Sequence, residues 1–397
     1  MITIQGMERP RIKPEHRGYR TRDGHVRLGS TTHGIGVEIE ATDDWLWTLV
    51  RAMDGSHSTR EIVGAVTTEH SDVPPDEVLD VMSDLLDAGF VDDAGARCPT
   101  DLSSQEQERY GRGVALLRWM DKTPRPSAWE AQLWLRRARV LIVGTGGTGS
   151  AAARHLVASG VGHVHCVDPD VVELSNLNRQ SLYREADIGQ AKVDAAVREL
   201  KQVNSDVRVT GEQRAVRGAD GLKELLETCP APDDGSGSSD RFDLLVLAAD
   251  DPPTIRNWAN QVCLELGLPW VDGGYQGPIV AVSVFSPGRG ACWECLRTWE
   301  SEERDLRLDS SAAGRPQYSA PPPAFGAANS VTAGLSGGLL AYAAIALLTG
   351  IPQLEPGLRI GLNLMRPGEP SADRRPRRAD CPACTDLSTE AARRAKR

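Results

Sequence analysis

The chain has 397 residues, with 45 Lys and Arg against 55 Asp and Glu and a formal net charge of −10. That length allows two or three domains with cores of their own. The acidic balance leaves no dominant basic face and argues against nucleic-acid binding. The first residues, MITIQGMERPRIKPEHRG, lack the apolar core of a signal peptide, so the chain is read as cytoplasmic. Its eight cysteines are then expected as metal ligands or core thiols, not disulfides.

Residues 10–93 read as one small α+β domain. GHVRL and GIGVEIE have the look of short strands with a turn between them. TDDWLWTLVRAMDG opens on a capping Thr-Asp and closes at Gly55. STREIVGAVTTEH opens on a capping box, Ser58 to Glu61. PPDEVLDVMSDLLDAGFV has prolines in front, apolar residues at helical spacing, then Gly89 and a short apolar strand. Strands, three helices and a closing strand make a winged-helix pattern. Its last helix carries Asp76, Glu77, Asp80, Asp84 and Asp87, which would repel phosphates. The order of elements, with RIKP at the start and DGSHSTREIV in the middle, resembles PqqD and related leader-peptide recognition domains. The resemblance implies that an extended peptide adds to the edge strand near Gly34–Ile39 and packs on the last helix. A dimerisation wing is the alternative.

Residues 94–103 read as a linker, and 104–385 as a second domain ending in a basic tail, 386–397. After the helical SSQEQERYGRGVALLRWM comes RARVLIVGTGGTGSAAARHLVASGVGHVHCVDPD, a strand, a glycine loop, a helix and a strand. Helix and strand patterns then alternate, the mark of an open α/β sheet covered on both faces. GPIVAVSVF and GLRIGLNLM are expected to join it antiparallel. PAPDDGSGSSD, residues 230–240, reads as a surface loop. Residues 330–350 carry no charge and are long enough to span a bilayer. They are rich in small residues and lie between two cysteine pairs, so a buried, closely packed helix is expected and no membrane contact.

Gly144, Gly146 and Gly149 form a G-x-G-x-x-G pattern between an apolar strand and a helix. The first glycine serves the tight turn, the second the approach of phosphate to the backbone, and the third helix packing. Asp168 lies about 20 residues on, where an acid holds a ribose. These features fit a dehydrogenase as well as an ATP user. The next stretch, SNLNRQSLYREADIGQAK, separates them. Cleaving a triphosphate needs fixed cations and a metal. Arg179 and Lys192 supply cations, and Asn176 and Gln180 can bond phosphate or orient the arginine. Asp251, in VLAADDPPTIRN, can hold Mg²⁺, and Asp250 can share that role.

Together RYGR, VLIVGTGGTGS, DPDVVELSNLNRQ, GQAK, DDPPTIRN and the paired cysteines resemble the ThiF/MoeB adenylyltransferases, relatives of ubiquitin-activating enzymes. The resemblance implies a Rossmann-like mixed sheet that binds ATP. It implies that Asp168 holds the ribose, that Arg179 and Lys192 hold the phosphates, and that Asp251 acts on Mg²⁺. Gly147 and Asp170, inside the matching strings, join the nucleotide-binding set. Arg112 of RYGR resembles the arginine that the family supplies from a neighbouring subunit, which implies a homodimer. The family often has Asp-Asn where this chain has Asp251-Pro252.

Cys292 and Cys295 in CWEC, with Cys381 and Cys384 in CPAC, form two Cys-x-x-Cys knuckles. Four thiolates suit structural Zn²⁺ with no open position, as the family places it. A redox Cys-x-x-Cys pair is the alternative. Cys166 and Cys263 are expected in the core. The segment after the first knuckle, SEERDLRLDSSAAGRPQYSAPPPAFGAANS, contains no cysteine, so no thioester step is expected there. It reads as a mobile cover for a bound peptide end. The leading expectation is adenylation of a carboxylate on a ribosomally made precursor peptide. A non-catalytic peptide-delivery partner of a YcaO-type cyclodehydratase is the second reading, and activation of a ubiquitin-like sulfur carrier is the third.

Overall fold

The computed structural model describes residues 2–29, 35–40, 44–229, 241–303 and 326–385. They form two compact units, Met1–Trp134 and Leu135–Arg397. The 230–240 loop, most of the cysteine-free segment after the first knuckle, and the basic tail lie outside the described residues, as do Gly34 and the capping pair Thr42–Asp43.

The N-terminal unit opens with β1 (Pro10–Ile12), β2 (Gly18–Arg20), β3 (Val26–Leu28) and β4 (Val37–Ile39). Three helices follow, α1 (Trp45–Ala52), α2 (Thr59–Glu69) and α3 (Pro75–Asp87), then β5 (Val91–Asp93) and α4 (Ser104–Met120). β2, β3 and β4 form an antiparallel sheet with β4 at its edge, while β1 pairs with β5. β1 and β2 are three residues each, too short to show alternation in the sequence. Both halves of the Ser58–Glu61 capping box are made. α3 turns Val78, Met82, Leu85 and Leu86 inward onto Leu49, Met53 and Ile62, and its five acids are exposed.

The helix of the RYGR motif, α4, lies within this N-terminal unit. It starts on a second capping box, Ser103 with Glu106. Its far end is held by the first strands' segment. Lys13 Nζ donates to the Asp121 carbonyl at 2.7 Å, Arg118 Nε donates to Glu15 Oε2 at 2.9 Å, and His16 Nε2 lies 3.0 Å from the Trp119 carbonyl.

After α5 (Glu130–Arg137), which crosses the boundary between the units, the second unit builds a doubly covered sheet. Its parallel part uses β6 (Arg139–Val143), α6 (Gly147–Ala158), β7 (His163–Val167), α7 (Lys192–Val203), β8 (Arg208–Glu212), α8 (Gly218–Glu227), β9 (Leu244–Leu247), α9 (Ile255–Leu266) and β10 (Trp270–Gln276). There follow β11 (Ile279–Phe285), α10 (Trp293–Glu303), α11 (Ser330–Thr349), β12 (Leu358–Asn363) and β13 (Pro370–Arg374). The strand order is β13-β12-β11-β10-β9-β6-β7-β8, parallel from β10 to β8 and antiparallel from β10 to β13. The expected antiparallel strands are β11 and β12. β13 is a polar run that becomes a strand by pairing with β12.

By length and apolar character α11 passes for a membrane span, yet it packs on α6 and β10 inside the unit. A side chain at Gly337 would come within 2.4 Å of Ala151 Cβ, so the two helices nearly touch backbone to backbone. Ser336 and Thr148 share a buried hydroxyl bond of 2.7 Å across the contact. Cys166 on β7 and Cys263 on α9 are fully buried.

β7 also buries His163 and His165, each bonded at 2.7 Å to Thr210 Oγ1 on β8. Burial, chiefly, lowers His163 to about 3 and His165 to about 4, against 6.5 for a free imidazole. The unfolded chain therefore takes up protons below pH 6.5 that the fold refuses, and stability falls as pH drops from 6.5 toward 4. Thermal melts should show a loss on the order of 2 kcal/mol between pH 7 and pH 5. His165→Gln should remove about half of that dependence.

Candidate functional site

The chain order reverses between β6 and β9: β7 and β8 extend the sheet to one side, β9 and β10 to the other. Open α/β sheets bind ligands at such a reversal, beyond the carboxyl ends of the strands. A cleft of about 550 Å³ lies there. It is lined by Gly144 and Gly146 after β6, Asp168 and Asp170 after β7, Arg214–Gly218 after β8, Asp250 and Asp251 after β9, and Lys192 at the start of α7.

The glycines have separate causes. Gly144 has φ +91°, and a Cβ there would meet the Ala248 carbonyl at 2.8 Å. A Cβ on Gly149 would lie 1.8 Å from the Gly144 carbonyl, so α6 can start this close to β6 only without a side chain. A Cβ on Gly147 would meet Tyr275 Oη at 2.8 Å. Gly146 differs, since its nearest neighbour would be Gln180 Nε2 at 3.9 Å. Nothing among the described residues excludes a side chain there; the open space belongs to the cleft. Gly146 is also the N-cap of α6 and offers no side-chain cap, so the first amides of the helix remain to bind an anion.

Behind the loop a buried network fixes its shape. Asp168 Oδ2 accepts from the Thr145 amide at 2.7 Å and its hydroxyl at 3.0 Å, and Asp168 Oδ1 accepts from the Asp170 amide at 2.9 Å. Tyr183 donates to the Thr145 carbonyl at 2.8 Å, and its burial pushes the phenol upward. Thr145 and Tyr183 carry no chemical signal in the sequence; only their contacts reveal this bracing.

Lys192 is buried at the start of α7 and forms a 2.7 Å ion pair with the more exposed Asp170. Asn176 bonds the Glu173 amide at 3.1 Å and faces a smaller hollow that shares Asp170 and Lys192 with the cleft. Gln180 is buried, with Oε1 lacking a partner. Arg179 lines neither space; its Nη1 donates to the Ser175 carbonyl at 2.8 Å and to Asn178 Oδ1 at 3.1 Å. Asp251 is exposed at the cleft, and Asp250 pairs with Arg256 at 2.7 Å. Arg112 is exposed on α4 of the N-terminal unit. The sequence reading missed Arg214, Arg217 and Trp258, which also line the cleft. They stand outside any spacing motif, and only the strand order gathers them.

The four expected cysteines converge. Cys292, Cys295, Cys381 and Cys384 are all buried, with sulfur separations of 3.8 Å (292–295), 3.7 Å (292–381) and 3.6 Å (295–384). Tetrahedral sulfurs at the usual Zn–S distance of about 2.3 Å stand about 3.8 Å apart. The donor set and spacing therefore fit a structural zinc site. Outer partners are in place: the Arg378 amide donates to Cys295 Sγ at 3.5 Å, and Asn260 Nδ2 donates to Cys292 Sγ at 3.8 Å.

Residues 122–383 match the model of the ThiF family, and the chain belongs to that family. It is 34% identical over 196 residues to the adenylyltransferase and sulfurtransferase MOCS3 of Arabidopsis thaliana, covering 49% of this chain and 37% of that one. It is 34% identical over 197 residues to the molybdopterin-synthase adenylyltransferase of Escherichia coli K12, covering 49% of this chain and 70% of that one. The chain thus spans well under two thirds of the MOCS3 relative's length. Its fold is that of E. coli MccB, solved with ATP at TM-score 0.69 and 21% identity, covering 94% of this chain and 99% of that one. A second structure of that fold, the microcin C7 biosynthetic enzyme MccB with N-formylated MccA, gives TM-score 0.67 at 21% identity and the same coverage.

Two glycine substitutions separate packing from ligand space. Gly149→Ala should lower the melting temperature, because α6 must move off β6. Gly146→Ala should cost much less, no more than the roughly 1 kcal/mol of a changed N-cap, yet weaken ATP binding, read by calorimetry beside the melts.

Proposed function

We propose that the chain is a cytoplasmic, ATP-dependent adenylyltransferase that activates a carboxylate of a ribosomally made precursor peptide. The observation that carries this is the content of the cleft. Bare helix amides at Gly146, the Lys192 cation and the Asp251 carboxylate face one space at the sheet's switch point. A dinucleotide's pyrophosphate is largely held by backbone amides and needs no such cation and acid.

In this reading Asp168 and Asp170 hold the ribose side, and Lys192 exchanges its ion pair with Asp170 for phosphate. Arg179, with Asn176 and Gln180 beside it, turns onto the phosphates. Mg²⁺ bound at Asp251 would neutralise charge on the phosphates. The peptide carboxylate, already ionised at pH 7, forms a bond to the α-phosphorus as the bond to the β-phosphate oxygen breaks, releasing pyrophosphate. No general base is required, and the chain's contribution is positioning and electrostatic stabilisation. Arg112 would complete the site in a second copy. Its exposure supports this, since Arg112, Leu116 and Trp119 form an exposed stripe on α4 at spacings of one helical turn.

The N-terminal unit is read as a PqqD-like peptide receptor. Among the described residues β4 has one bonded neighbour, which leaves an edge to which an extended peptide can add. The fold likeness to MccB extends over 94% of the chain, the N-terminal unit included. The zinc site would tie the C-terminal segment to α10.

Pyrophosphate exchange into ATP should depend on a cognate precursor peptide and fall at least about 100-fold in Lys192→Ala and Arg179→Ala, with peptide affinity unchanged. Names of relatives that act in sulfur transfer and molybdopterin synthesis favour a second reading, activation of a ubiquitin-like carrier. Exchange with a sulfur carrier protein and none with peptides would select it. Absence of ATP binding would select the non-catalytic delivery role. Elemental analysis should find one zinc per chain, and Cys381→Ser should lose it and lower the melting temperature.

A further inference from the structure

Two acids, Asp250 and Asp251, follow β9 at the mouth of the cleft, and either type of position can hold a cation. The structure treats them differently. Asp251 makes no hydrogen bond or ion pair among the described residues and stands exposed. Asp250 is bound sideways by Arg256 Nη2 at 2.7 Å. Arg256 is itself anchored from below: its Nε lies 2.9 and 3.0 Å from the two oxygens of Asp272, a buried carboxylate on β10. The ring of Trp293, beside the Cys292 knuckle residue, lies 5.9 Å from the guanidinium carbon. Arg256 thus spans from the core of the sheet to the rim of the cleft, and its planar fork serves two acids at once.

We propose that Arg256 is a positioning residue that, anchored on Asp272, draws Asp250 to the side of the cleft and reserves Asp251 as the carboxylate that meets the nucleotide-bound cation. This rests on the nucleotide reading above. Without Arg256, two neighbouring carboxylates would compete for one divalent ion, and Asp272 would be left in the core without its cation. With it, one acid is presented and the other is withheld. Lysine cannot substitute, because it places a single charge beside Asp272 and has no second arm for Asp250.

The test is calorimetric binding of a non-hydrolysable ATP analogue at increasing Mg²⁺, with thermal melts of every variant. Asp251→Asn should raise the Mg²⁺ needed for half-maximal binding at least about tenfold. Asp250→Asn should move it less than about threefold in the otherwise native chain. Arg256→Lys should shift the Mg²⁺ dependence, and adding Asp250→Asn to it should return the dependence toward the native value, because the released acid is then gone. Equal effects of Asp250→Asn and Asp251→Asn would overturn the proposal. So would additive effects of Arg256→Lys and Asp250→Asn. If Arg256→Lys fails to fold, the comparison of the two asparagine variants decides. A native chain that binds the analogue equally well with Mg²⁺ and with EDTA overturns this inference alone; a native chain that binds no nucleotide overturns the nucleotide reading and this inference with it.

Discussion

The site depends on how closely α6 approaches the end of β6. With Gly149 against the Gly144 carbonyl, the helix begins almost on the strand, and its first amides point over the sheet's carboxyl edge. A single methyl at that contact would push the helix away. The Asp168–Thr145–Tyr183 network then holds the loop from behind. α11 closes the other side through Ser336 and Gly337. A helix apolar enough to cross a membrane is here the wedge that keeps α6 in place.

Much of the charge around the cleft is arranged in matched pairs. Lys192 is buried and answered by Asp170. Arg256 answers Asp272 in the core and Asp250 at the rim. A buried cation without a partner would be costly, and each of these cations is balanced by a neighbouring acid. Asp251 and Arg217, both exposed and without an ion pair among the described residues, remain open to the cleft.

The two units contribute different chemistry. The C-terminal unit holds the cleft and the four-cysteine cluster. The N-terminal unit holds a short sheet with β4 at its edge among the described residues, and the helix with exposed Arg112. Lys13 of RIKP, the string that reads in the sequence as the start of a peptide-recognition domain, and Glu15 and His16 just after it fasten the far end of that same helix. The segment that opens the fold thereby supports the helix that carries the arginine.

Much was legible in the residues because it rests on local rules. The capping box at Ser58–Glu61, the three helices and the glycine loop each follow from spacing within a few residues. The two Cys-x-x-Cys pairs predicted a four-sulfur cluster because each pair is already half a tetrahedral site. The sequence by itself determined which residues were available: four glycines after an apolar strand, three cations, four acids and four thiols. It could not determine that Asp250 is ion-paired while Asp251 is not, because that depends on Arg256, which is anchored on a carboxylate of a different strand. It also could not gather Trp258, Arg214 and Arg217 beside Gly146, nor assign the RYGR helix to the N-terminal unit. Those facts come from strand order and long-range ion pairs. Only the tertiary structure decides them, since their partners lie far apart in the chain and no local pattern records them.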